Sequence, residues 1–369
     1  VTHAALDPQR FAERIGSWLK ASGPESDVVV SCRVRLARNV EGFSFVPRLE
    51  ASQAEALAER ARAALLASRL DGDTIWVSMS EATPVLRMLL RERYLVSRDL
   101  APSSQAQAAL PGRAAAFGAS ETISVMVNEE DHLRLQSLAG GFHLDQAAER
   151  LQALDRSLEG ALPPAHSPRL GYLTSCPTNV GTGMRASVML HLPALSLVRS
   201  ELEKVFAAAQ RTGLAVRGMY GEGSRAAGDL YQVSNQVTLG RSEARLLDEL
   251  RALVPCIVDF ERKVRALLLR EQRAALLDRV SRSYGMLRTA RAMATDAALA
   301  HLSLVRLGTA LGLIDGPSTV DMNEIAIHIQ KGHVQALART SPVDGSLEAS
   351  ERDRLRASYL RRRFAAASN

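Results

Sequence analysis

The stretch "DVVVSCRVRL" (27–36) decides the fold, because its side chains separate by parity. A strand sends successive side chains to opposite faces. Val28, Val30, Cys32, Val34 and Leu36 then make one apolar face, while Ser31, Arg33 and Arg35 share the other. "GMRASVMLHL" (183–192) repeats the arrangement, with Met184, Ala186, Val188 and Leu190 against Arg185, Ser187 and His191. In "LAVRGMY" (214–220) Arg217 lies opposite Val216, and in "NEEDHLR" (128–134) Asn128, Glu130, His132 and Arg134 share a face. As a helix, that last segment would still keep Glu130 and Arg134 neighbours at i, i+4. A polar wet face is ordinary for one half-buried strand. Arginine on the polar face of several strands points further, to a cationic floor. Such a floor suits a polyphosphate, since guanidinium forks bind phosphate oxygens bidentately.

Outward from this strand, 8–20 reads as a short helix, 51–69 as a longer one, and 74–79 as a strand followed by a helix to about Arg93. The segment 101–113 reads as a loop. Strands recur at 121–135, 170–175, 184–192, 214–220 and 231–239, with helices at 143–160 and 193–210. After Gly240 the pattern is helical almost throughout, and "DGPST" (315–319) and "SPVDGS" (341–346) each precede a further helix. The expectation is a mixed α+β domain, 1–264, followed by an all-helical domain, 265–369. Residues 1–25 form an N-terminal helix and lead-in.

The 369 residues are 46% hydrophobic and 23% charged, with a formal net charge of +6, which is globular composition. Lysine stands only at Lys20, Lys204, Lys263 and Lys331, so the basic excess is arginine. Aromatics make up 4% and interleave with no basic run, so a stacking platform for single-stranded nucleic acid is not expected. Cys32, Cys176 and Cys256 are odd in number and far apart, against a disulfide framework or a zinc centre. No run of eighteen apolar residues reads as a membrane span. The opening residues are amphipathic rather than signal-like, so a cytoplasmic protein is expected.

"RGMYGEGSRAAG" (217–228) is glycine-rich, but its spacing fits neither G-x-G-x-x-G nor the Walker pattern. By itself it reads equally as a phosphate cradle or as a hinged loop around Glu222. Glu129, Glu130, Asp131 and His132 read as a solvated charged edge before they read as metal ligands. Cys176 in "TSCPTNVG" follows a strand and precedes Pro177, so its loop can reach a cleft; a small buried hydrophobe is the alternative. His191 and His301 read as packing or surface residues.

Four segments taken in order carry a resemblance. "SCRVRLARN" (31–39), "NEEDHLRLQ" (128–136), "TSCPTNVGTGMRAS" (174–187) and "RGMYGEG" (217–223) resemble the guanidino-kinase superfamily, which comprises the phosphagen kinases and the bacterial protein-arginine kinases. "GPESDVVVSCRVRLARN" (23–39), "YQVSNQVTLG" (231–240) and "RDRLRA" (352–357) resemble the bacterial, McsB-like branch. The resemblance spans nearly the whole chain. It implies a phosphagen-kinase-type catalytic domain, an antiparallel sheet flanked by helices, followed by the helical domain. It implies ATP-dependent phosphorylation of arginine in proteins, with Mg²⁺.

Carried over by residue, Arg33, Arg35, Arg134, Arg185 and Arg217 would hold the ATP phosphates. The strand residues Ser31, Cys32 and Val34, and the backbone of Arg185, Ala186, Ser187, Val188 and Met189, would lie against the nucleotide. So would Arg217, Gly218, Met219, Tyr220, Gly221 and Glu222. Glu130 and Glu222 would grip the acceptor guanidinium, with Glu130 as base and Cys176 beside it; the loop is then a hinge carrying one acid. Arg352, Asp353 and Arg356 would belong to a second pocket that reads phosphoarginine. The branch further implies protein substrates with exposed arginine, a Clp-type protease and an activator as partners, and a homodimer or higher oligomer. The reading includes no membrane, no direct nucleic acid and no protein-built metal site.

Three positions depart from the family pattern. Arg225 stands where an acid is expected. Two unit charges about 4 Å apart at an effective dielectric near 20 repel by roughly 4 kcal/mol, so Arg225 is expected to point away from the acceptor. Tyr94, in "RERYLVS", replaces a histidine near the nucleotide and can still stack on adenine. Cys32 replaces a serine. The alternatives are a phosphagen kinase acting on free arginine and an inactive adaptor that binds ATP and phosphoarginine.

Overall fold

The computed structural model describes residues 6–20, 23–218, 226–338 and 347–366. The parity of 27–36 becomes β1 (Val29–Arg38), a central strand of an eight-stranded antiparallel sheet. Its companions are β2 (Thr74–Ser78), β3 (Ala114–Gly118), β4 (Ile123–Val127), β5 (Leu133–Gly140), β8 (Met184–His191), β9 (Leu214–Gly218) and β10 (Leu230–Asn235). They lie in the order β2-β3-β4-β5-β1-β8-β10-β9. A separate two-stranded ribbon joins β6 (His166–Ser167) and β7 (Gly171–Tyr172).

One face of the sheet is buried in the main core. Cys32, Val34 and Leu36 of β1 meet Met184, Ala186 and Val188 of β8 there. Helices α3 (Ala51–Ser68), α6 (Leu144–Leu158) and α9 (Glu243–Glu271) cover it with Leu57, Leu65, Leu151, Leu250 and Val254. Each leucine so buried contributes about 1.5–3 kcal/mol. On the other face, α1 (Pro8–Glu13) and α4 (Pro84–Glu92) cover the β2–β4 end through Phe11, Leu86, Leu89, Phe117 and Met126. Leu138 of β5 takes Trp18 and Leu19 of α2 (Ser17–Lys20) together with Ile327 of α12 (Thr319–His328). The polar side chains of β1, β8, β10 and β9 on this face form the floor of a cleft.

The remaining helices are α5 (Gln105–Ala108), α7 (Pro193–Leu197), α8 (Arg199–Arg211), α10 (Arg273–Thr289), α11 (Thr295–Ala310), α13 (Lys331–Leu337) and α14 (Ala349–Ala366). Helices α10, α11, α12 and α14 share a second core built on Leu287, Leu299, Val305, Ile325 and Leu360. Helix α9 starts at Ser242, whose side chain caps Arg245 N, and runs unbroken through 260–265 with Pro255 inside it. No described helix is long and apolar enough to cross a membrane.

Several expected elements differ in extent. Residues 8–20 form two helices, because Ser17 N donates to Ser120 O at 2.9 Å and docks the chain on the turn before β4. Residues 121–135 form a hairpin: Asn128 turns with φ +52 and its N–H donates to His132 O at 2.9 Å. Asn tolerates that left-handed backbone better than most residues. The strand at 170–175 shrinks to Gly171–Tyr172, the one at 231–239 ends at Asn235, and 193–210 is two helices meeting at Val198. The 101–113 loop contains the one-turn α5. A register shift between Val29 and Ser31 turns Val30 out of the main core to the cleft side, where it lines a slot with Ser31 and Arg33. The "SPVDGS" segment lies outside the described residues.

Candidate active site

Register places the arginines. Arg35 stands directly opposite Arg185 across β1 and β8, and Arg33 opposite Ser187. Arg134, on β5, faces Ala37, one same-face position along from Arg35. Gln232 of β10 pairs with Met189 on one side and Arg217 on the other. Gln232 Oε1 accepts from Arg33 Nη2 at 3.0 Å, linking the two rows. Alternation therefore sorts the expected nucleotide residues. Ser31, Arg33, Arg35, Arg185, Ser187 and Met189 face the cleft, whereas Cys32, Val34, Ala186 and Val188 point into the main core. The Cys32 thiol donates to Gly141 O at 3.3 Å, and burial pushes its pKa far up.

Like charges directly opposite destabilise a sheet. Desolvation and the neighbouring arginines lower the Arg33 pKa to about 10. For Arg35, desolvation and then Arg33, Arg134 and Arg185 lower it well below its ordinary value. Arg35 Nε is buried without an acceptor among the described residues. A floor of this kind fits a polyanion whose oxygens supply the missing acceptors.

Arg35, Arg134 and Arg185 share a cavity of about 330 Å³ with Glu130, Cys176 and Asp99. Glu130 comes from the β4–β5 hairpin turn and pairs with Arg134. The expected solvated edge at 129–132 is instead largely buried, because its neighbours hold it in place. Glu129 accepts from Arg134 Nη1 at 2.8 Å, from Ser97 Oγ and from Glu130 N at 3.0 Å. Asp131 Oδ1 accepts from Asn39 Nδ2 at 2.7 Å and from Ser175 N at 2.6 Å. His132 Nδ1 accepts from Val40 N at 2.9 Å, and desolvation lowers its pKa. Asn128 turns away to donate to Ala54 O and Gly112 O, so the shared face expected for 128–134 does not form.

The Asp131–Ser175 bond fixes the loop carrying Cys176, whose Sγ lies 3.0 Å from Thr178 Oγ1. Gly183, with φ +64, closes the same cavity, and a Cβ there would lie 2.6 Å from Ala37 O. Asn39, Glu129 and Asp131 were missed as positioning residues. The "LARN" run that closes β1 and the acidic run in the turn were the available signals.

Tyr94, at φ +59, lines a slot beside Arg33 and stands edge-on to Trp18 at 6.0 Å. Met219, Tyr220, Gly221, Glu222 and Arg225 lie outside the described residues. Arg356 is buried in the C-terminal helices, where it donates to Ile329 O at 2.6 Å, Met293 O at 2.7 Å and Asp353 Oδ1 at 2.6 Å. Arg352 donates to Leu347 O at the start of the same helix. His191 packs against Ser303 at 2.8 Å. Among the described residues, no group of three His, Cys, Asp or Glu side chains is arranged to hold a metal.

An antiparallel sheet presenting converging guanidinium groups beside a carboxylate and a thiol defines a guanido phosphotransferase. The ATP:guanido phosphotransferase C-terminal catalytic domain matches residues 56–264, and the protein-arginine kinase McsB C-terminal domain matches 273–369. The chain is 42% identical over 358 residues to the protein-arginine kinase of Halalkalibacterium halodurans, covering 96% of this chain and 97% of that one. It is 39% identical over 354 residues to the protein-arginine kinase of Bacillus subtilis strain 168, covering 95% and 94%.

Two solved structures are also similar. The duplicated taurocyamine kinase of Schistosoma mansoni with bound transition state analog components has a TM-score of 0.58 at 28% identity. That match covers 68% of this chain and spans 35% of the taurocyamine kinase. Lombricine kinase has a TM-score of 0.56 at 26% identity, covering 69% of this chain and 71% of that one. The chain belongs to the protein-arginine kinase family, ATP-dependent guanido phosphotransferases.

Proposed function

We propose that this chain transfers the γ-phosphoryl group of ATP to the guanidinium of arginine residues in proteins. The observation that carries this reading is the single cavity in which Arg35, Arg134 and Arg185 face Glu130 and Cys176. In this reading the arginines, with Arg33 and Arg217, hold the phosphates and offset charge on the transferring group. An arginine guanidinium has a pKa above about 12 and is a poor nucleophile while protonated. Glu130 accepts a proton from the attacking nitrogen as its lone pair forms the bond to phosphorus; the phosphorus–oxygen bond to ADP breaks. Glu222 fixes the plane of the acceptor, and the Cys176 sulfur lies beside it without forming a covalent bond.

Mg²⁺ would arrive on the phosphate oxygens and water, its usual partners, and would supply charge neutralisation there. This reading assigns no protein-built metal centre. The catalytic unit is 1–264 and the helical unit 265–369. Arg352, Asp353 and Arg356 form a phosphoarginine-reading site, and the marks direct substrates to a Clp-type protease or inactivate a repressor in a stress response. The protein acts in the cytoplasm as a homodimer or higher oligomer, with an activator protein.

The test compares acceptors. Incubated with ATP and Mg²⁺, the chain should phosphorylate casein arginines far faster than free arginine. Turnover of free arginine at rates matching protein would make it a phosphagen kinase. Binding of ATP without transfer to either would make it an adaptor.

A further inference from the structure

The end of α4 is clamped to the C-terminal helices by a buried polar cluster to which the proposed reaction assigns no part. Glu92 Oε1 accepts from Gly332 N at 2.7 Å, and its Oε2 accepts from His333 N at 3.0 Å and from His333 Nδ1 at 2.8 Å. The other ring nitrogen, Nε2, accepts from Arg93 Nε at 3.1 Å. Both nitrogens are therefore committed, and the neutral ring carries its proton on Nδ1. Arg93 also donates to Phe11 O and pairs with Glu121. Arg93 and His333 are fully buried. The contact has no slack: a Cβ on Gly332 would lie 2.8 Å from Met88 Cβ.

From this clamp the chain takes a short, fixed path to the catalytic hairpin. Leu95 N donates to Leu90 O at 2.9 Å, which folds the turn back on α4. Tyr94 O accepts from Gln136 Nε2 of β5. Three residues further on, Ser97 N meets Met126 Sδ at 3.2 Å and Ser97 Oγ donates to Glu129. Glu129 holds Arg134 and the backbone of Glu130, so its carboxylate places two of the residues that line the cavity. Among the described residues, Ser97 is the one donor to that carboxylate from outside the hairpin. A buried polar cluster costs desolvation that an apolar contact would avoid, which suits it to fixing geometry rather than to adding stability.

We propose that Glu92, Arg93 and His333 are positioning residues for phosphoryl transfer: they tie α13 to α4 and act on Arg134 through Ser97 and Glu129. The helical region then contributes to the reaction by holding the catalytic hairpin in place, without touching ATP or the acceptor. This inference rests on the reading of Arg134 as a phosphate ligand and of Glu130 as the base. With the clamp released, the 92–97 segment loses its fixed end and Ser97 Oγ no longer meets Glu129 in one place. The Arg134 fork then spreads over several orientations, only some of them productive.

A double-mutant cycle on the full chain tests it, with kcat and KM on casein measured below the melting onset of every variant. Ser97→Ala should lower kcat about five- to tenfold, the effect of one lost hydrogen bond, and leave the casein KM within about twofold. Glu92→Ala should do the same, and the double variant should fall no further, because both changes act through one carboxylate. His333→Asn keeps a donor toward Glu92 and removes the acceptor of Arg93, so it supplies a second cycle should Glu92→Ala fail to fold. Independent structural roles would instead multiply, to about 25- to 100-fold in the double variant. Multiplied losses, or single variants with unaltered kcat, overturn the inference alone. A wild-type chain that transfers no phosphoryl group to casein overturns the proposed function and the inference with it.

Discussion

Replacing Arg35 by methionine should make the ligand-free protein more stable while it damages nucleotide binding. The side chain faces Arg185 directly across the sheet, with Arg33 and Arg134 close enough to lower its pKa and only Glu129 in opposition. A like pair of guanidinium groups about 8 Å apart at an effective dielectric near 20 repels by about 2 kcal/mol. Three such pairs less one attraction give about 4 kcal/mol, which solvent screening at a partly exposed site reduces to about 2 kcal/mol. Methionine keeps the apolar stem. For a chain of this size the gain corresponds to a melting temperature about 3 °C higher.

Losing one charge-assisted contact to phosphate should weaken ATP by about 1.5–3 kcal/mol, or roughly 10- to 100-fold. ATP at about 100 times its wild-type Kd stabilises wild type by about 2.7 kcal/mol. A variant binding about 30-fold more weakly gains about 0.9 kcal/mol at the same concentration. Thermal unfolding with and without ATP measures both quantities. A lower ligand-free melting temperature together with an undiminished ATP shift would refute the reasoning, since the charges would then be compensated within the chain.

Other expected outcomes follow from groups around the site. Asp131→Ala removes the acceptor for Asn39 and Ser175 N, so it should cost about 2–4 kcal/mol in urea unfolding and reduce activity by freeing the Cys176 loop. An unchanged rate would show that this loop needs no anchor. Desolvation first, and then His333, Arg93 and Arg363, lower the pKa of His328 to about 3, so the unfolded chain takes up this proton first. The associated stability is therefore complete above pH 6.5 and is lost as pH falls toward 3. Between pH 6.5 and 5, wild type should lose roughly 1.5 kcal/mol more than His328→Phe, whose unfolding curves supply the control. In α11, a Cβ on Gly308 would meet Val280 Cγ1 at 2.3 Å, so Gly308→Ala should destabilise by about 1–3 kcal/mol despite its better helix propensity.

The strands β1 and β8 were legible because their side chains alternate from Ser31 and from Met184 onward, and that parity also delivers Arg33, Arg35 and Arg185 to one face; the antiparallel sheet itself was expected only from the family resemblance. Their convergence was not legible, since it depends on the register that sets Arg35 against Arg185. The β4–β5 hairpin was hidden because its turn carries no glycine and relies on Asn128 in a left-handed conformation. Glu129 and Asp131 read as solvent-facing because acidic runs usually are; their burial follows from Arg134, Asn39 and Ser175, donors that only the folded chain supplies. The bulge that turns Val30 into the cleft leaves no mark in the alternation. The slot beside Arg33 was out of reach of pattern reading, because its lining joins β1 to helices far away in the chain, with Trp18 in α2, Arg306 in α11 and Ile327 in α12.

The central claim is tested most directly by mass spectrometry under non-acidic conditions, after incubating the chain with ATP, Mg²⁺ and casein. The account predicts acid-labile phosphate on arginine with the wild-type chain and none with Glu130→Ala, while ATP binding by the variant persists. Phosphoarginine formed undiminished by Glu130→Ala, or none formed by the wild-type chain, would contradict it.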